Sequence, residues 1–260
     1  IRASKGAIPF AGGTDLMVKY RYENGVVPDY GRPILFIDRI AEIQCVERSG
    51  GLLRIGGGAS LSQVLRHPET PDVLREAVRS IAAPGLRNTA TAAGNLCNAS
   101  PAGDSILALY ALDAQVELTG REVRVVPVEE FVVGPGQTVL AGDELVSAIE
   151  VPLEPADVSF FRKVGTRKAN ALTKVSLAAR ASFDSEMGNA AMVDDIGIAV
   201  GAAAPTIIRA REIEERIVGK RVEEIAKMKE ELISLYEPLV RPIDDQRSTA
   251  AYRKRVAMNL

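Results

Sequence analysis

The chain has 260 residues, 47% hydrophobic and 25% charged, which is enough apolar side chain for one large core or two modest ones and excludes extended disorder. Its 32 basic and 34 acidic side chains are mixed along the sequence and leave a formal charge of -2, so no basic face is offered to nucleic acid or anionic lipid. Two cysteines, Cys45 and Cys97, can neither build a disulfide framework nor ligate an iron-sulfur cluster alone, which suits a reducing cytoplasm.

Up to about Asp38, the apolar runs Ile8 to Ala11 and Ile34 to Ile37 flank a helical candidate, Leu16 to Tyr22, and predict a strand-helix-strand lobe. Ile43 to Glu47 and Leu52 to Gly56 flank the turn signal Ser49-Gly50-Gly51, which predicts a hairpin. Ser60 suits the cap of a helix over Leu61 to Arg66. Val73, Leu74, Ala77, Val78 and Ile81 recur at helical spacing after Pro71. The stretch 86–101, rich in Asn, Thr, Ala and Gly, has no clear period and reads as a long loop, a class that is usually functional.

Ser105 to Leu112 reads as a short helix, and Gln115 to Leu118, Glu122 to Pro127 and Glu144 to Val151 read as an antiparallel meander. Glu154-Pro155-Ala156-Asp157 is polar and turn-forming, so a domain boundary is expected there, giving domains 1–155 (lobes about 1–40 and 41–155) and 156–260. Beyond it come strands at Phe160 to Val164, Val175 to Phe183 and Ile196 to Gly201. Helices follow at Arg209 to Val218, Val222 to Tyr236 and Ser248 to Asn259, the order of an α+β domain. Ile196 to Ile208, the longest weakly polar stretch, contains Gly197, Gly201 and Pro205 and is too short to cross a bilayer.

Two glycine-bearing stretches carry the chemistry. Ala11-Gly12-Gly13-Thr14-Asp15-Leu16 falls where a buried strand turns into a helix, so backbone N-H groups converge there. Such a turn can cradle a pyrophosphate without lysine or arginine, and glycine permits both the turn and the close approach. The second stretch is Thr91-Ala92-Ala93-Gly94-Asn95-Leu96-Cys97-Asn98-Ala99-Ser100-Pro101.

Together they resemble the FAD-binding medium subunit of the molybdenum hydroxylases, the xanthine dehydrogenase and carbon monoxide dehydrogenase family. The resemblance spans nearly the whole chain. It extends in order to Phe160-Phe161-Arg162-Lys163-Val164-Gly165-Thr166-Arg167-Lys168-Ala169, Gly201-Ala202-Ala203-Ala204-Pro205-Thr206 and Arg247-Ser248-Thr249-Ala250-Ala251-Tyr252-Arg253. It implies an α+β fold, with a two-lobed FAD-binding domain of the vanillyl-alcohol-oxidase/PCMH type followed by a smaller C-terminal domain with an antiparallel sheet and helices. The family's leading strand and helix have no counterpart before Ile1, so the N-terminus is expected to be incomplete or disordered.

Carried over by position, the resemblance implies that Ala11, Gly12, Gly13, Thr14 and Asp15 line the pyrophosphate, while Thr91, Gly94 and Asn95 lie along the ribityl chain and flavin. Asp104 would hold a ribityl or ribose hydroxyl, Val146 would touch the flavin region, and Lys163 would place a cation near the ring. Each has a plainer alternative. Thr14, Asp15 and Asp104 are also helix-capping signals, Val146 is a core residue by default, and a strand lysine such as Lys163 is commonly solvated.

Gly56-Gly57-Gly58 loosely suggests a dinucleotide turn but lacks the third glycine of that motif and follows a hairpin, so a tight turn capped by Ser60 is the better reading. His67, the only histidine, sits at a predicted helix end and supports no Ser-His-Asp enzyme. Cys97 reads as an apolar filler, and Lys227, Lys229, Glu230 and Glu231 as a solvated helix face.

The resemblance implies an electron-transfer subunit with FAD on this chain, and with iron-sulfur clusters and the molybdenum cofactor on a small and a large partner subunit. NAD or a quinone would be the acceptor. No catalytic acid-base side chain or metal ligand is expected on this chain. The alternatives are a self-contained flavin oxidoreductase of the vanillyl-alcohol-oxidase fold and a flavin-free assembly module.

Overall fold

A computed structural model describes residues 6–21, 28–168, 170–184 and 188–260. In chain order it runs β1 (Ile8–Phe10), α1 (Thr14–Lys19), β2 (Ile34–Phe36), β3 (Val46–Ser49), β4 (Leu52–Gly56), α2 (Leu61–Arg66), α3 (Asp72–Ser80), α4 (Pro84–Arg87), α5 (Ala92–Asn98) and α6 (Asp104–Ala111). Then come β5 (Gln115–Thr119), β6 (Val123–Pro127), α7 (Val128–Phe131), β7 (Val132–Gly134), β8 (Gln137–Thr138), β9 (Leu145–Pro152), β10 (Val158–Val164), β11 (Val175–Phe183), β12 (Val193–Gly201) and β13 (Ile208–Arg209). Helices α8 (Arg211–Glu214), α9 (Val222–Lys227), α10 (Lys229–Tyr236) and α11 (Ala250–Asn259) finish the order.

Contacts divide the chain into two compact units. The first comprises 1–70, 81–99 and 114–152. In it β1 and β2 pair in parallel, Ile8 opposite Ile34 and Phe10 opposite Phe36, with α1 between them in sequence. This is the predicted strand-helix-strand lobe. The helix ends at Lys19, and Tyr22 lies outside the described residues.

Beside it stands a five-stranded antiparallel sheet in the order β3-β4-β9-β5-β6. The predicted meander does not form, because β9 inserts between β4 and β5. Burial explains the change. Val146, Ala148, Ile149 and Val151 of β9 are all buried, so this strand takes the centre, while the more exposed β3 and β6 take the edges. The hairpin starts at Val46 rather than Ile43, because Ala41–Ile43 curls into a 3-10 turn whose last carbonyl accepts from the Gly58 amide. Leu53, Ile55, Leu61, Val64, Leu96, Leu118, Phe131 and Ile149 fill the core, each with under 2% exposure. Each such side chain contributes roughly 1.5–3 kcal/mol by leaving water.

The second unit comprises 71–80, 100–113 and 153–260. Its antiparallel sheet runs β10-β11-β12-β13. Helix α6 packs on β11 and β12, and α3 packs on α6 and β10. Every residue of α6 is buried, which its apolar sequence requires. Residues 71–80 and 100–113, which a contiguous cut near Pro155 leaves with the first domain, thus pack with the C-terminal sheet. A satellite core of Val200, Ala203, Ile208 and Val240 gathers Tyr236 and Met258. The helix predicted over Arg209 to Val218 shrinks to α8, because Ile208 and Arg209 join the sheet as β13. The helix predicted over Val222 to Tyr236 breaks at Met228.

Candidate functional site

The first bend links β1 to α1. Gly13 occupies the N-cap position with φ +66°, its carbonyl accepting from the Met17 amide at 2.8 Å, and no side chain caps the helix. Thr14 and Asp15 therefore do not act as caps, and the alternative reading of both is removed. A Cβ on Gly13 would fall on the ring of Phe10, and one on Gly12 would fall on the carbonyl oxygen of Thr89. The two glycines are thus required by close approach as well as by conformation.

First-turn N-H groups have no acceptor inside the helix, and the dipole there favours an anion. The amides of Thr14 and Asp15 stand at this end. Asp15 is solvent-facing, yet partial burial still lifts its carboxyl above the usual range. What Asp15 can offer an anion is its N-H, since an ionised carboxyl repels one. Ala11 and Gly12 complete the bend, half-buried between strand and helix.

The contact of Gly12 with Thr89 brings the second bend to the first. Where sequence predicts one irregular loop, two short helices form. Pro84 starts α4, and Thr91 caps α5, its buried hydroxyl accepting from the Gly94 amide at 2.9 Å. The Ala90 carbonyl accepts from the Leu61 amide at 2.8 Å, which ties the bend to α2. Gly94 is exposed, and a Cβ there would sit 2.8 Å from Thr91 Oγ1, so its bare backbone faces outward. Asn95 is half-buried on the next position. Cys97 is exposed, which corrects the filler reading.

Val146 is 5% exposed in β9 and belongs to the sheet core of this unit. Cβ atoms on Gly56, Gly57 and Gly58 would strike the Ile43 carbonyl, the Val146 carbonyl and the Gln44 side chain, so these glycines serve packing and leave no phosphate cradle. Ser60 caps α2 in a reciprocal box with Gln63. His67 ends that helix, and its Nδ1 accepts from the Glu69 amide at 3.3 Å.

In the second unit Asp104 and Lys163 meet. Asp104, the first residue of α6, is 5% exposed; its Oδ2 accepts from Lys163 Nζ at 2.6 Å, and its Oδ1 accepts from Thr173 Oγ1 at 2.7 Å. Ser80 adds a longer bond from its hydroxyl to Oδ2 at 3.4 Å and accepts from Lys163 through its carbonyl at 3.3 Å. Gly103, not Asp104, holds the N-cap position, so the carboxylate is an ion-pair partner rather than a cap. Lys163 is correspondingly enclosed, with 12% side-chain exposure, rather than solvated.

A buried ion pair is tolerated only when its remaining hydrogen-bonding capacity is met, and Thr173 and Ser80 meet it. Sequence reading missed both, because neither carries a motif and both lie far from Asp104 in the chain. Beside Lys163 opens a pocket of about 260 Å³ lined, among the described residues, by Ser80, Lys163, Arg167, Lys168, Asn170 and Ala171, three of them basic. Ala169, which closes the matching stretch, lies outside the described residues.

Among the described residues no group of three or more His, Cys, Asp or Glu side chains is placed to hold a metal ion, and no helix is long and apolar enough to cross a membrane. Comparison with known proteins then covers the chain from end to end. Residues 1–154 match the family described as the FAD binding domain in molybdopterin dehydrogenase, and residues 160–260 match the CO dehydrogenase flavoprotein C-terminal domain. A putative xanthine dehydrogenase FAD-binding subunit of Escherichia coli K12 is 34% identical over 212 residues, 79% of this chain and 70% of that protein. The glyceraldehyde dehydrogenase medium chain of Sulfolobus acidocaldarius is 31% identical over 255 residues, 95% of this chain and 85% of that one.

Among solved structures, the carbon monoxide dehydrogenase of Hydrogenophaga pseudoflava that lacks the Mo-pyranopterin moiety superposes with a TM-score of 0.85 at 25% identity, covering 97% of this chain and 86% of that chain. With both halves matched in order on the α+β framework described above, the chain belongs to the family of FAD-binding medium subunits of the molybdenum hydroxylases.

Proposed function

We propose that this chain holds FAD by its diphosphate at the paired bends and relays electrons from iron-sulfur clusters on a small partner subunit to an external acceptor, NAD or a quinone. A large partner carrying the molybdenum cofactor would oxidise the substrate. The single observation that carries the reading is the seating of Gly12 on the Thr89 carbonyl, which joins the two bends beside the start of α1, where no side chain caps the helix and first-turn amides have no acceptor within it. A diphosphate has the charge and the acceptor oxygens that such amides lack.

Bound FAD supplies the redox chemistry, exchanging electrons one or two at a time. The chain supplies position and charge. Ala11, Gly12, Gly13, Thr14 and Asp15 present backbone to the diphosphate, while Gly94 and Asn95 offer close, small surfaces to the ribityl chain and ring. Thr91 shapes the second bend through its cap on Gly94. Val146 supports this region from the core. Lys163 is the cation we assign to the ring, and Asp104 holds it there; with Thr173, Lys163 and Ser80 on its carboxylate, Asp104 acts by orienting the lysine. A cytoplasmic setting keeps Cys45 and Cys97 as thiols.

The test is reconstitution. The 260-residue chain freed of flavin takes up FAD stoichiometrically, and the bound flavin is reduced by the complex's substrate only when iron-sulfur and molybdenum subunits are added. A chain that folds yet shows no affinity for FAD refutes the reading.

A further inference from the structure

The parallel strands β1 and β2 end side by side on two aromatic residues, Phe10 and Phe36, which are partners in register. Ligands of parallel α/β units bind outside the carboxyl ends of the strands, which is where both rings stand. The Phe10 ring is committed, because it packs over Gly13 and meets Tyr30 edge-on at 6.4 Å between centroids. Tyr20 lies against Tyr30 at 5.3 Å. Phe36 touches this group through Phe10, with centroids 5.2 Å apart and planes tilted by 56°, yet it remains 66% exposed.

A tyrosine at such a place keeps a hydroxyl in water, whereas phenylalanine has no polar end, so its exposed face is suited to a flat apolar partner. The position lies one ring away from the first-turn amides of α1. We propose that Phe36 stacks the adenine base of FAD. The proposal rests on the reading that the first bend grips the diphosphate, because adenosine is joined to that group. It also assigns a selectivity: FMN has the same ring system, ribityl chain and a phosphate but no adenine, and gains nothing from Phe36.

The test titrates the flavin-free 260-residue chain with FAD, FMN and ADP, for the parent and for F36A and F36Y, with the thermal midpoint read beside each. F36A weakens FAD and ADP about tenfold, the ratio that 1.4 kcal/mol makes, within the range known for a base stacked on an aromatic side chain. FMN affinity stays unchanged, and F36Y keeps parental affinity for all three. Unchanged FAD and ADP affinity in F36A overturns the proposal and leaves Phe36 to a protein partner, as does an equal loss for FMN, which would report collapse of the bend. The underlying reading fails separately: it falls if the parent binds neither FAD nor ADP, whereas parental binding that F36A does not disturb sinks only the adenine contact.

Discussion

Gly13 meets two demands at one atom. Its φ of +66° lies in the left-handed region, and its missing side chain is the space that the Phe10 ring occupies. An alanine there costs about 1–2 kcal/mol for the backbone alone, and displacing the ring adds to it. Gly12 differs, since what blocks its Cβ is the Thr89 carbonyl, a main-chain atom that cannot swing aside. We therefore expect G12A to open the contact between the bends and G13A to deform the turn. Both variants should lose at least about tenfold in FAD affinity, the equivalent of 1.4 kcal/mol. The ratio of flavin to protein after gel filtration checks this, and retention of parental flavin in G12A would show that the two bends do not act together.

Helix α6 shows at the level of an element how polar side chains finish what apolar burial begins. Its C-terminal carbonyls would be orphaned inside the second unit, but Ala111 O accepts from Arg180 Nε at 3.0 Å and Tyr110 O accepts from Arg209. Past the helix end, Asp113 turns to φ +55° and draws in Arg180 at 2.9 Å, Arg209 at 3.3 Å and Arg211 at 2.6 Å. Burial by itself would raise the Asp113 carboxyl, but Arg209, Arg211 and Arg180 together bring it below the ordinary carboxylate value.

The sign of its pH dependence follows. With the folded value below the unfolded one, the unfolded chain binds the proton more readily, so the stabilisation is complete above the ordinary Asp value of about 4 and is lost as pH falls through the lower folded value. D113N removes that slope and leaves guanidinium groups facing a neutral amide. Denaturant unfolding of the parent should lose stability more steeply than the variant as pH falls below about 4, and parallel curves would assign the acid sensitivity to other carboxylates.

Sequence reading was sound for α6 because seven contiguous apolar positions, Ile106 to Leu112, bounded by serine and aspartate leave few alternatives, and for α2 because Ser60 and Gln63 form a local capping pair. It failed on the order of the five-stranded sheet, since the centre of a sheet goes to the strand most buried on both faces, and β9 shows this only once its neighbours are known. It also failed on 86–101, where the ends of α4 and α5 are set by Pro84 and by the Thr91 cap rather than by any apolar period. At the site, Gly13 was legible because the turn and its near neighbour Phe10 demand it, whereas the Thr89 carbonyl that demands Gly12 comes up only in the folded chain. The partner of Asp104 was not, because Lys163 and Thr173 reach it only through tertiary folding.

Across the whole molecule the chain departs from its linear order. Residues 160–260 match a family of their own, yet the second unit also takes in 71–80 and 100–113. These two segments carry α3 and α6, and α6 lies so close to the sheet that a Cβ on Gly197 would strike the Ala111 carbonyl and one on Gly201 would crowd Leu107. A fragment of 156–260 would therefore uncover the faces of β11 and β12 that α6 buries, among them Ala178 and Ala199 at 0% exposure. It would also strip Arg180 and Arg209, with 6% and 2% side-chain exposure, of Asp113 and of the two helix carbonyls they satisfy, leaving Arg180 with Asp195 and Arg209 with Glu214.

The apolar burial lost with α6 and the hydrogen bonds lost with Asp113 and the helix carbonyls together cost several kcal/mol, comparable with the whole stability of a domain of that size. We expect the fragment made alone to keep far-UV helix and strand signal but to bind a hydrophobic dye and to lose its near-UV spectrum, the marks of a molten state. A sharp thermal transition with a fixed near-UV spectrum in 156–260 would show instead that its sheet closes on itself, and that α3 and α6 are additions to a core already complete.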